Sequence, residues 1–131
     1  MEALERLLLQ RVRSAHALTA DAVADLRCFY GPELELAMAT LDRPNLVGRY
    51  VPDPTLHGMP FYVVKDLETG ARNLVIVQAR FCGCEKHEAC GTCRHLLAVY
   101  LIEALELPVQ EANDHLTWEG VLMELLEKLC A

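Results

Sequence analysis

The chain has 131 residues, 53% of them hydrophobic and 6% aromatic, and a formal charge of −7. That length suits a single domain over residues 1–131 with one core, filled mainly by Leu, Val and Ala. The acidic balance argues against strong autonomous binding to a phosphate backbone, and no uncharged apolar run of about 18 residues is present to span a membrane.

The opening stretch, MEALERLLLQRVR, puts acids before a short Leu run and Arg after it, which is not the pattern of a secretory signal. The protein is therefore expected not to be secreted and to keep its thiols in a reducing compartment. Clustered cysteines there read as metal ligands or catalytic thiols before they read as disulfides.

Residues 1–42 read as helical. Leu4, Leu7, Leu8 and Val12 recur at helical spacing, with Glu5, Arg6 and Arg13 expected on the surface. Thr19 is the natural N-cap of a second helix carrying Val23, Leu26 and Tyr30. Gly31-Pro32 stops it, and Pro32 suits the first turn of a third helix through Leu34, Met38 and Leu41, which Arg43-Pro44 ends.

The middle of the chain predicts strands. Leu46 to Val51 and Phe61 to Lys65 are two, separated by a loop punctuated by Pro52, Pro54, Gly58 and Pro60. Glu68-Thr69-Gly70 marks a turn. Leu74 to Phe81 then reads as a third strand, with Val75, Val77, Ala79 and Phe81 on one face. Short links between the three predict an antiparallel meander, and the last strand runs directly into Cys82.

The stretch from Phe81 to His95, FCGCEKHEACGTCRH, holds four of the six cysteines. Cys82 and Cys84 are two positions apart at a strand end, where extended geometry points both sulfurs to one side. Cys93 and His95 are again two apart where a helix begins, and a helix N-terminus stabilises a thiolate. Facing each other, the pairs supply three sulfurs and one nitrogen, a common closed set for one structural zinc ion. Three thiolates against a divalent ion would take the net charge to about −8. Cys90 opens an alternative: it forms a C-x2-C step with Cys93, which makes Cys82, Cys84, Cys90 and Cys93 a second possible set, and His87 also lies within reach.

After His95, LLAVYLIEALEL is apolar on nearly every side, as in a helix buried on several faces. Part of it, or of the N-terminal helices, is expected to pack on a partner chain. Pro108 ends it. Residues 107–131 are expected to be the C-terminal helix, with a stripe from Trp118 through Val121, Leu122, Leu125, Leu126 and Leu129, most simply intramolecular core. The fold class expected is α+β: N-terminal helices, a small antiparallel meander, and a zinc site leading into C-terminal helices.

The C-x-C…C-x-H spacing followed by an apolar run resembles the SWIM zinc-binding domain, whose pattern differs from the C-x2-C opening of the usual fingers. CRHLLAVYLIEAL is similar to the matching stretch of the SWIM-type subunit family of the Shu complex. LRCFYGPELELAMATLD, between Leu26 and Asp42, resembles that family's helical block. The resemblance implies a SWIM-type region over residues 45–106 and the ligand set Cys82, Cys84, Cys93 and His95. It implies a non-enzymatic subunit paired in a hetero-oligomer with a RecA-like recombinase paralogue. That complex promotes loading or stability of the recombinase on single-stranded DNA in homologous recombination. It also implies nuclear residence, although no basic import signal is visible; otherwise the cytosol is expected. A stand-alone SWIM module that binds nucleic acid directly is the alternative.

An enzyme is not expected. No G-x4-G-K-[ST] loop occurs, Ser14 is the only serine, and His87-Glu88 lacks the spacing of the H-x-E…P-C-x-x-C deaminase signature. Cys90–Cys93 lacks the βαβ context of a thioredoxin-like site. Cys28 and Cys130 read as apolar fillers, and His16, His57 and His115 have no ligand-spaced neighbours. Arg80, Lys86 and Arg94 flank the motif, either screening the thiolates or reaching DNA phosphate.

Overall fold

The computed structural model describes residues 2–50, 60–84, 93–112, 123 and 127. Helix α1 (Glu2–Ala15) is amphipathic, but its buried stripe differs from the expected one. Leu8 and Val12 are buried, whereas Leu4 and Leu7 are 49% and 60% exposed and Glu5 is only 3% exposed. The reason is polar. Tyr30 donates to Glu5 Oε2 at 2.5 Å, and Arg80 Nη1 lies 2.6 Å from Glu5 Oε1. Bringing this carboxylate to its partners turns positions 5, 8 and 12 inward and leaves 4 and 7 outside.

Helix α2 (Ala20–Tyr30) starts as expected, with Thr19 Oγ1 accepting from the Ala22 amide at 3.2 Å. It stops at Gly31, whose φ of +66° suits a residue without Cβ and whose N–H bonds to the Arg27 carbonyl at 2.8 Å. Helix α3 (Glu33–Leu41) follows from Pro32, and a 3-10 turn at Pro44–Leu46 leads into the sheet. Cys28, read as an apolar filler, is instead exposed on α2.

The strands are β1 (Val47–Tyr50), β2 (Phe61–Lys65), β3 (Arg72–Ile76), β4 (Phe81–Cys82) and β5 (Gln110–Ala112), in the spatial order β4-β3-β2-β1-β5. The first four form an antiparallel meander, and β5 adds to β1 in parallel. The expected single strand from Leu74 to Phe81 is therefore a hairpin. The chain turns at Val77–Arg80, and Cys82 pairs back with Val75. Its positive φ falls on Arg80, at 52°, so no Gly, Asn or Asp marked the turn. Within the segment expected to be the C-terminal helix, Gln110–Ala112 is strand. The stripe from Trp118 through Val121, Leu122, Leu125, Leu126 and Leu129 lies outside the described residues; the two described positions between its members, Met123 and Glu127, are helical and exposed.

Helix α4 (Arg94–Leu105) explains why its sequence is apolar all round. One side puts Leu97, Ala98, Leu101 and Ala104 into a core with Leu8, Val12, Leu26, Leu34 and Ala37 of the N-terminal helices. The other puts Leu96, Val99, Tyr100 and Ile102 against Val47, Tyr62, Val64, Val75 and Cys82 of the sheet. The helix is thus the middle of three layers. On the opposite face of the sheet, Phe61, Val63 and Leu74 cluster with Tyr50, Ile76 and Phe81. Central β2 is accordingly apolar on both sides. No helix among the described residues is long and apolar enough to cross a membrane.

Candidate metal centre

The β3–β4 hairpin and the start of α4 meet at one end of the middle layer. Cys82 is the last residue of β4, and the Gly83 amide bonds to the Leu74 carbonyl at 3.0 Å, which carries the hairpin up to Cys84. Cys93 is the N-cap of α4, where its Sγ accepts from the Leu96 amide at 3.4 Å. That N–H and the helix dipole both favour a thiolate. His95 lies one step inside the helix and is buried.

These elements bring Cys82, Cys84, Cys93 and His95 together, with their ligand atoms all within 4.8 Å of one another. Cys82 Sγ and His95 Nδ1 are 3.7 Å apart. A tetrahedron built on Zn–S of about 2.3 Å and Zn–N of about 2.0 Å has an S···N edge of about 3.6 Å. The Cys82–His95 separation therefore matches two ligands on one tetrahedral ion, and the four donors together could hold a metal. The cluster can hold a metal ion, and soft sulfur donors favour the borderline and soft metals over magnesium or calcium.

The electrostatics agree with a site built for a cation. Hydrogen bonding with Cys84 and Cys93, together with burial, pushes the Cys82 thiol well above its ordinary range. Burial pulls His95 down, but bonds to Cys84, Cys93 and Asp66 outweigh it and raise the ring to about 10. The crowded donors hold protons that a cation must displace.

Three acidic residues complete the surroundings, and the local pattern gave no sign of them. The β2–β3 turn carries Asp66, whose Oδ1 is 2.6 Å from His95 Nε2. Glu33, the first residue of α3, accepts both the backbone N–H and the Nε of Arg94 at 3.1 Å. The same guanidinium pairs with Glu68 and lies 3.8 Å from Asp66. Arg94 is thereby fastened to α3 and to the β2–β3 turn. The one available signal was the turn at Glu68-Thr69-Gly70, which located the loop but not the direction it faces.

Among the described residues, the flanking cations Arg80 and Arg94 are engaged within the protein. Arg94 is held by carboxylates, and Arg80 pairs with Glu5 and sits 5.9 Å over the Tyr100 ring. Lys86, His87 and Cys90 lie outside the described residues, as do His57, His115 and Cys130. His16 is exposed just beyond α1. No known protein family, curated protein or solved structure matches this chain.

Proposed function

We propose that the chain is a non-enzymatic zinc adaptor: one structural Zn2+ on Cys82, Cys84, Cys93 and His95, and a SWIM-type module that serves a recombination-mediator complex of the Shu type. The observation that carries the reading is the closed set of three thiols and one imidazole joining the sheet to α4. A closed shell has no open position for a reacting water, which supports a structural ion rather than catalysis. Cys82 and Cys84 come from the hairpin, Cys93 and His95 from the helix, so the ion ties the sheet to the middle layer. Bound zinc supplies a cross-link between these elements, on the order of ten kcal/mol in small zinc-dependent domains.

The partner half of the reading rests on the resemblance of CRHLLAVYLIEAL and of the Leu26–Asp42 block to the Shu-type SWIM subunits. It makes the partner a RecA-like recombinase paralogue and single-stranded DNA a ligand of the complex, with nuclear residence following from that role. The exposed Leu4 and Leu7 on α1 offer apolar surface for docking. The negative charge and the engagement of Arg80 and Arg94 with carboxylates favour this adaptor over a module that grips nucleic acid alone.

Native mass spectrometry of the chain purified from cells with its co-purifying proteins tests the reading. One zinc per chain together with a RecA-like protein is expected. A zinc-loaded monomer that binds single-stranded DNA with a steep salt dependence would transfer the function to the stand-alone module. A metal-free, disulfide-linked chain would remove the basis of both.

A further inference from the structure

Asp66 is buried, and its two oxygens face different partners. Oδ2 accepts from the Glu68 amide at 3.1 Å, the Thr69 amide at 2.9 Å and the Thr69 hydroxyl at 3.1 Å. Gly70, with φ of +74°, closes the same turn by donating its N–H to the Asp66 carbonyl at 2.9 Å. Oδ1 is left for His95 Nε2, at 2.6 Å. On the other side of the ring, Nδ1 looks toward the thiols, 3.7 Å from Cys82 Sγ.

A neutral imidazole carries one proton, and a metal takes the lone pair of the nitrogen without it. An ionised carboxylate only accepts. Facing Nε2, it requires the proton there and leaves the Nδ1 lone pair directed at the sulfurs. Arg94, 3.8 Å from Oδ1, adds a positive charge that favours the ionised form. The geometry points to Asp66 as a positioning residue of the metal centre: it selects Nδ1 of His95 as the ligand atom, fixes the plane of the ring, and makes the β2–β3 turn part of the site.

This role rests on the proposal that the four residues hold a metal. It does not rest on the turn alone. Every contact to Asp66 described above is a donor, so an amide at this position must present its NH2 group either to the turn or to His95. The carboxylate is the group that serves both sides. Thr69→Val separates the two roles, because it removes one donor on the turn side and leaves Oδ1 facing the imidazole.

The test uses the full chain loaded with zinc, and with cadmium for spectroscopy. Long-range nitrogen–proton correlation spectra of the imidazole are expected to show Nδ1 on the metal and a proton on Nε2. Asp66→Asn is expected to weaken zinc binding by about 10- to 100-fold, the usual consequence of losing an outer partner of a ligating histidine. Thr69→Val should lower stability and leave zinc affinity in place. A wild-type chain that binds no metal overturns the metal reading and this role with it. A wild-type chain that binds one ion through Nε2 overturns this role alone. So does a Thr69→Val protein that loses as much affinity as Asp66→Asn. If Asp66→Asn does not fold, the wild-type spectrum still decides which nitrogen is the ligand.

Discussion

Tyr30 donates its phenolic proton to Glu5, and burial together with that bond holds its pKa well above the usual value of 10.0. The folded protein therefore keeps Tyr30 neutral where the unfolded chain ionises it. Stability from this group is complete below about pH 10 and is lost as pH rises above it, because only the unfolded state releases the proton. Denaturant titrations on either side of that pH should show the decline, and Tyr30→Phe should flatten it. An unchanged slope in Tyr30→Phe would assign the alkaline loss to other groups. The same carboxylate decides which face of α1 looks inward. Leucines at positions 4 and 7 are more apolar than Glu5, yet a buried charge with an acceptor role for Tyr30 and a pairing role for Arg80 cannot be left unmatched.

At the metal centre, single substitutions separate the two possible ligand sets. Cys82→Ser or His95→Ala should release the ion and loosen the contact between the hairpin and α4, whereas Cys90→Ser should leave metal content unchanged. Metal analysis of the three purified variants checks this. Metal loss in Cys90→Ser with retention in His95→Ala would assign the site to the four cysteines instead.

Among the elements, α4 shows how far a local pattern can be read. Its uniform apolarity announced burial on several sides, and the structure supplies the coverings as the N-terminal helices and the sheet. Leu101 is fully buried in the inner layer. Leu101→Ala is expected to cost about 2–5 kcal/mol from lost transfer energy and the cavity left behind. Leu7→Ala, at a site 60% exposed, should stay within about 0.5 kcal/mol. Chemical denaturation of the two variants makes the comparison, and equal costs would mean that α1 is rotated from the arrangement described. The helix caps were equally readable, because Thr19 accepts from the Ala22 amide and Gly31 donates to the Arg27 carbonyl, both within four positions. The β3–β4 hairpin was not. Val75, Val77, Ala79 and Phe81 alternate as one strand would, and the turn between them carries its positive φ on an arginine. The hairpin sets Cys82 opposite Val75 and bonds the Gly83 amide to the Leu74 carbonyl, so backbone pairing overrides the side-chain alternation.

For the molecule as a whole, the metal is expected to set the stability of the junction between sheet and helices. Chelation should raise amide exchange in β3, β4 and the first turns of α4 together, more than in α2, since the ligands lie at β4 and α4 and β3 pairs with β4. Uniform exchange across the chain would argue that the ion is peripheral. Metal affinity should fall as pH falls between about pH 8 and 6, because protons compete for the sulfurs and the imidazole. The raised Cys82 thiol carries the competition to higher pH: the ion must displace a proton that its neighbours help to hold. A competitive titration against a chromophoric chelator across that range measures the slope, and a flat profile would exclude thiolate ligation.

The α+β class, the three N-terminal helices, the second strand and the close spacing of Cys82, Cys84, Cys93 and His95 follow from near-neighbour chemistry: periodicity, caps, turn residues and donor spacing. Those signals act over a few positions, and a linear reading captures them. The turn that aims Asp66 at His95, the clamp of Glu33 on Arg94, the inward rotation of Glu5 and the parallel addition of β5 all depend on folding in three dimensions. Asp66 is 29 positions from His95, and Glu33 is 61 from Arg94. Their partnership arises when a buried donor must find an acceptor among whatever packing brings near, a condition that exists only once the layers have closed.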